Sequence, residues 1–222
     1  MTDFAAARAF MVQGQVRTND VTDPLLTAAM LEVPRERFVP PANADIAYLD
    51  RDMPVGGADS GAVRYLLKPL LLAKLIQAAE IKPGDRVLDV GCATGYAAAL
   101  LTQLGATVLA LEEDPALARN ATANLTGLGF NQVKVVTGPL RNGWADAAPY
   151  DAIIVEGRTE NVPEQLVRQL VPGGRLVCVE GHSAAAKGMT YRCINGEASG
   201  WPLFEAAAPL LPGFAAPAAF VF

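Results

Sequence analysis

The stretch Asp89-Val90-Gly91-Cys92-Ala93-Thr94-Gly95-Tyr96 sets a carboxylate and a glycine turn on the end of the apolar run Val87–Val90. An acidic pair, Glu112-Glu113, closes the next apolar run, Val108–Leu111. In open α/β sheets the carboxyl end of the first strand is where a nucleoside-containing cofactor sits. The glycines do not form a dinucleotide fingerprint: in Gly91-x-Ala93-x-Gly95 the middle glycine is Ala93, and Tyr96 stands where the third would fall. A pyrophosphate, which needs close approach to the helix N-terminus, is disfavoured, and with it an NAD-dependent oxidoreductase. Glu112 lies 21 positions after Gly91. Its carboxylate has lone pairs for two vicinal hydroxyls, which a neutral side chain matches only in part. Taken alone, Asp89 also serves as a cap of the turn and Glu112 as a solvated strand end. Their joint spacing is what points to a cofactor.

These residues need a parallel sheet to hold them. The apolar runs Val87–Val90, Val108–Leu111, Val133–Val136, Ala152–Val155 and Leu176–Val179 read as five buried strands. Helical segments over Ala97–Leu104, Pro115–Leu128 and Pro163–Leu170 separate them, with Asp114-Pro115 as a cap followed by proline at the first helical position. Short, fully apolar strands alternating with helices imply a doubly wound, mostly parallel α/β sheet covered on both faces. Residues 1–80 read as an N-terminal helical elaboration on it. There, Thr22-Asp23-Pro24 starts a helix that ends before Pro34, and a second helix spans Lys68 to Ala79. Tyr48 to Gly61, rich in Asp, Gly and Pro, reads as a loop. Residues 81–180 form the core. Residues 181–222 carry two candidate antiparallel strands, Thr190–Ile194 and Ala218–Phe222, around a Pro/Ala-rich stretch over 198–217. No composition shift divides the chain, so a single domain is expected over 1–222.

Composition narrows the function classes. Eighteen Lys+Arg against 23 Asp+Glu give a net charge of −5, which argues against non-specific nucleic-acid binding. Cys92, Cys178 and Cys193 form no C-x-x-C pair, so neither a zinc site nor a disulfide framework is expected, and a reducing, cytoplasmic setting fits. Lys74 interrupts the longest apolar candidate, Leu70 to Ala79, so no membrane span is expected. The one histidine, His182, lies beyond the fifth strand and reads as structural or exposed. Cys92 reads as a small buried turn residue rather than a nucleophile.

Val87-Leu88-Asp89-Val90-Gly91-Cys92-Ala93-Thr94-Gly95 resembles motif I of the class I S-adenosylmethionine (SAM) methyltransferases. A narrower resemblance runs through Pro34-Arg35-Glu36-Arg37-Phe38-Val39-Pro40, Ala47-Tyr48, Met53-Pro54-Val55-Gly56 and Ile81-Lys82-Pro83-Gly84-Asp85. It continues in Ala148-Pro149-Tyr150-Asp151-Ala152-Ile153-Ile154-Val155 and Leu170-Val171-Pro172-Gly173-Gly174-Arg175-Leu176-Val177. Over about residues 12–180 the chain is similar to the protein-L-isoaspartate O-methyltransferase family. That resemblance implies a Rossmann-like class I methyltransferase fold and SAM as cofactor, with S-adenosylhomocysteine as product. The acceptor it implies is the carboxylate of isoaspartyl residues in damaged proteins or peptides, whose methylation begins their repair. The cofactor contacts it implies are Asp89, Gly91, Cys92, Ala93, Gly95 and Tyr96 at the turn, and Glu112 and Glu113 at the ribose. It adds Gly138, Pro139 and Leu140 towards the adenine and Glu156 after the fourth strand. A carboxylate is already nucleophilic, so alignment and exclusion of water supply the acceleration without a strong base.

Three positions depart from the family. Its serine-bearing substrate segment falls on Tyr65-Leu66-Leu67-Lys68-Pro69, with Leu67 at the serine. Ser60, Arg64, Tyr65 and Lys68 are the candidate replacements for holding the acceptor carboxylate; a guanidinium or ammonium suits an anion, and a solvated charge or packed ring is the other reading. The family's Gly-Asp after the third strand reads Gly138-Pro139-Leu140, and its Thr-Ala after the fourth reads Glu156-Gly157-Arg158. A methyltransferase for another carboxylate, or a non-catalytic SAM-binding protein, are the alternatives these departures favour.

Overall fold

Both Asp-Pro pairs in the chain start helices. After α1 (Phe4–Met11), α2 (Pro24–Glu32) opens with Asp23 Oδ1 accepting from the amides of Leu25 and Leu26. Proline at the first helical position lacks an N–H that would be unpaired there in any case. The structure is a computed structural model and describes residues 2–56, 63–162, 164–182, 185–194 and 197–216. A short hairpin of β1 (Met53–Gly56) and β2 (Arg64–Leu66) follows α2, within and just after the stretch expected as loop. Then come α3 (Pro69–Ala78), β3 (Arg86–Val90), α4 (Tyr96–Gln103) and β4 (Thr107–Glu112). Next are α5 (Pro115–Gly127), capped by Asp114, β5 (Lys134–Thr137), β6 (Tyr150–Thr159) and α6 (Glu164–Val167). The chain continues through β7 (Leu170–Glu180), β8 (Lys187–Ile194) and β9 (Glu197–Glu205).

The main sheet has the order β5-β4-β3-β6-β7-β8-β9. Its first five strands are parallel, and β8 and β9 fold back antiparallel. From β3 the chain winds one way to β4 and β5, then returns to β6 on the other side. The crevice between the carboxyl ends of β3 and β6 is thus the topological switch point, where such sheets bind ligands. Among the described residues no helix is long and apolar enough to cross a membrane.

Alternation along the strands divides the core between two faces. Val87, Ala110, Ile154 and Val177 pack under the N-terminal helices with α3, α4 and α5. Leu88, Val90, Leu111, Ile153 and Val155 face the other way, onto Leu166 of α6, Leu140 and two residues from far along the chain, Leu211 and Phe214. This second face therefore relies on the segment around Leu211 as much as on a helix.

Two expectations change. The helix expected over 163–170 is only the four residues of α6, because Leu170 already pairs with Tyr150 in the sheet. The Pro/Ala-rich stretch starts inside β9, where Ala198 to Pro202 pair with Cys193 to Met189. The strand expected at Ala218–Phe222 lies outside the described residues.

The N-terminal elaboration is fastened through Arg35, which is wholly buried. Its Nε donates to the Ala47 carbonyl and its Nη2 to that of Leu67, both at 2.8 Å, while its guanidinium stacks 4.9 Å from the Tyr96 ring centroid. The side chain thus joins the N-terminal turns, the β2 hairpin and the start of α4. Arg35→Met should remove two charged hydrogen bonds to buried carbonyls and cost about 2–4 kcal/mol in urea denaturation. A loss below about 1 kcal/mol would show that the tie is not structural.

Candidate functional site

Apolar pairing carries β3 to Val90 and β4 to Leu111, so the chain must turn at Gly91 and at Glu112 at the same level of the sheet. Gly91 takes φ +82° and Gly95 +94°, which a side chain would strain; Ala93 accepts φ +49°. The amides of Gly91 and Cys92 both donate to the Leu111 carbonyl, tying the turn to β4. Thr94 hydroxyl donates to the Phe38 carbonyl at 2.6 Å, tying it to the N-terminal elaboration.

Glu112 is fully buried beside this turn. Its Oε1 accepts from the amides of Glu113 and Asp114 at 2.9 and 3.2 Å. Its Oε2 accepts from the Ala93 amide at 2.8 Å and from Arg64 Nη2 at 3.1 Å. Arg64 is buried too, and its Nη2 also donates to the Gly91 carbonyl at 2.9 Å. The guanidinium expected from the sequence as one candidate holder of the acceptor carboxylate is instead engaged with the Gly91 carbonyl and the Glu112 carboxylate.

A second pair of acids lies alongside. Asp89 is buried near the end of β3 and Glu156 where the pairing of β6 with β7 shifts register, and among the described residues neither Asp89 oxygen nor Glu156 Oε1 has a hydrogen-bond partner. Two carboxylates can face each other only around a shared proton. Burial is the main cause that pushes Asp89 up to about 7, with the Glu112 charge adding to it. Burial first, and then the Asp89 charge, hold Glu156 well above the ordinary carboxylate range. The pair therefore keeps a proton near neutrality, as like charges in close contact do.

The other expected site residues fall into three places. Cys92 is buried and its thiol is pushed up by desolvation, which leaves no nucleophile there. Tyr96 turns away from the crevice: its ring packs edge-on against Phe38 at 5.4 Å and under Arg35, so it supports the elaboration rather than lining a cofactor site. Gly138 donates its amide to the Glu112 carbonyl and lies against Trp144; Pro139 is exposed and Leu140 is in the core. Glu113 is exposed at the rim. Tyr65 and Lys68 are half-buried, the Lys68 side chain lining a separate cavity with Asp50, Lys74 and Phe204. Ser60 lies outside the described residues. His182 is exposed, 3.5 Å from Glu160.

One participant has no local signal in the sequence. Leu211, 1% exposed, lies against both Gly91 and Gly157: a Cβ on either glycine would come within 3.1 Å of its side chain. Backbone bonds hold it there. Arg158 N donates to Pro209 O at 2.8 Å, Leu211 N to Arg158 O at 2.9 Å, and Glu160 N to Phe214 O at 3.0 Å.

The chain is similar to known proteins over most of its length. The family model for protein-L-isoaspartate(D-aspartate) O-methyltransferase matches residues 8–194. Protein-L-isoaspartate O-methyltransferase 1 of Rhodopseudomonas palustris is 41% identical over 84% of this chain and 74% of its own length. The protein-L-isoaspartate O-methyltransferase of Methylorubrum populi is 44% identical over 80% of each. A solved structure of that name superposes with TM-score 0.80 and 25% identity, over 93% of this chain and 66% of the other. A Plasmodium falciparum structure of the same naming, in complex with S-adenosyl-L-homocysteine, has TM-score 0.77 at 19% identity over 95% and 99%, and so shares the fold.

The acid pair makes stability depend on pH. An unfolded Asp titrates near about 4, so between there and about 7 folded Asp89 keeps a proton that the unfolded chain has lost. Its contribution is complete below about pH 4 and is lost as pH rises towards neutrality, a fall of about 1–4 kcal/mol. Asp89→Asn should flatten the dependence of urea stability across that window. Parallel curves for the two proteins would remove the shared proton.

Proposed function

Because the chain belongs to the protein-L-isoaspartate O-methyltransferase family, we propose that it transfers the methyl group of SAM to the free α-carboxylate of isoaspartyl residues in proteins. The observation that carries this reading is Glu112, buried at the end of β4 beside the glycine turn, within the span that matches the family. An enzyme of this family is a SAM-dependent O-methyltransferase.

The chemistry of the crevice suits that cofactor. When bound, SAM supplies a methyl group on a positively charged sulfur. Glu112 offers carboxylate oxygens to ribose hydroxyls, and Gly91 offers a backbone without a side chain for the methionine part. Asp89 and Glu156, sharing a proton, put partial negative charge at the same crevice. The acceptor carboxylate attacks in its ionised form, so no residue has to remove a proton. What the chain supplies is alignment and exclusion of water. The donor groups fit; the room beside them is occupied by Arg64 and Leu211 of the chain itself. The three buried, unbridged cysteines support residence in a reducing, cytoplasmic compartment.

The reading is tested with methyl-labelled SAM and two peptides of one sequence, one isoaspartyl and one aspartyl. Base-labile label should enter the isoaspartyl peptide alone. Equal labelling of both would replace the substrate class, and SAM binding with label in neither would leave a binding protein.

A further inference from the structure

We propose that the cofactor crevice is closed in the free protein by the chain's own Arg64 and its 209–214 segment, which SAM must displace to bind. The proposal rests on the cofactor reading above and adds a competitor built into the fold.

Glu112 carries the first argument. Its two oxygens already accept four donors, three backbone amides and Arg64 Nη2. A carboxylate offers about four lone-pair sites, so a ribose hydroxyl can bond here only in exchange for a donor. The amides belong to the turn and to the start of α5; Arg64 is the one that a side-chain rotation can withdraw. The same guanidinium nitrogen caps the Gly91 carbonyl at 2.9 Å. A side chain of this chain thus engages both the acidic strand end and the glycine turn, the two features that mark the cofactor site.

Space carries the second argument. Glycine at 91, just after β3, and at 157, where the β6 pairing shifts register, leaves the backbone bare there, the condition for a ligand to approach closely. Leu211 takes up both vacated places, within 3.1 Å of where either Cβ would lie. Among the described residues, Arg64, Glu112, Glu113, Asp114 and Pro212 line a cavity of about 280 Å³. That is below the roughly 300–1,000 Å³ of small-molecule sites, and Arg64 forms one wall of it.

The fastening is of a kind that can be released. The segment is held by three backbone hydrogen bonds, Arg158 to Pro209, Leu211 to Arg158 and Glu160 to Phe214, and by two apolar side chains, with an isolated bridge between Arg158 and Leu210. It is not a strand of the main sheet. Withdrawing it together with Arg64 exposes Leu211 and Phe214 and breaks one buried ion pair, so closure competes with the cofactor through that burial and that pair. Apparent affinity then falls by the fraction of molecules that are open.

Calorimetry with S-adenosylhomocysteine, on the full-length wild type, Arg64→Met and Leu211→Asn, tests this. Each variant loosens the closure from a different side, so failure of one to fold leaves the other. Both should bind on the order of tenfold more tightly than the wild type. In hydrogen exchange of the wild type, ligand should speed the Arg158, Glu160 and Leu211 amides. Binding by the variants alone would also support closure. Wild-type binding that neither variant tightens, with those amides unchanged or slowed, would overturn it and leave the family reading standing. If none of the three binds the ligand, closure is not what keeps it out, and the cofactor reading fails with it.

Discussion

Glu112 is excluded from solvent at the end of β4, where an unpaired carboxylate would cost several kcal/mol. Three amides and Arg64 remove that cost, and the arrangement of the crevice follows from how they do so. The amides of Ala93, Glu113 and Asp114 come from two chain segments, the turn after β3 and the entry to α5. Satisfying one side chain therefore sets the distance between those segments. The glycines with positive φ let the turn come close enough to make the bond.

Charge accounting extends from that carboxylate. Asp89, Glu112 and Glu156 are three buried acids beside the crevice; Arg64 is ion-paired with Glu112, and the buried Arg35 lies within electrostatic reach of Glu156. One acid pairs with Arg64, and the other two share a proton. A sulfonium or an amino group entering this crevice would meet negative charge that burial has partly suppressed. Titration of the Asp89–Glu156 pair is thus linked to whatever cation the crevice holds.

The hairpin that carries Arg64 is positioned by a second buried guanidinium. Arg35 bonds the Leu67 carbonyl just beyond β2 and stacks on Tyr96 at the start of α4. The family-like segment Pro34–Pro40 is therefore a structural wedge, with Arg35 and Phe38 inside it. It joins the N-terminal elaboration to the glycine turn after β3. The departure at Leu67 sits in the same place: its side chain is buried in the core, and its backbone carbonyl is what the elaboration uses.

Strand and helix identities in the core were legible because parallel strands are buried on both faces and read as unbroken apolar runs. Asp-Pro marks helix starts through local hydrogen bonds alone. Gly91, Gly95 and Glu112 were legible for the same local reason: backbone angle and strand-end spacing are properties of short segments. The β1–β2 hairpin and β9 were not, since their sequences carry Pro54, Gly56, Gly200 and Pro202 and are strands only because a neighbour supplies the pairing. The length of α6 depended on where Leu170 found Tyr150. Arg64 on Glu112 and Leu211 on Gly91 span 48 and 120 positions of sequence. No local pattern encodes such contacts. The sequence by itself determined a glycine turn and an acidic strand end on a parallel sheet; only the tertiary structure decided which of the chain's own side chains lie against them, because that depends on which distant segments share a crevice.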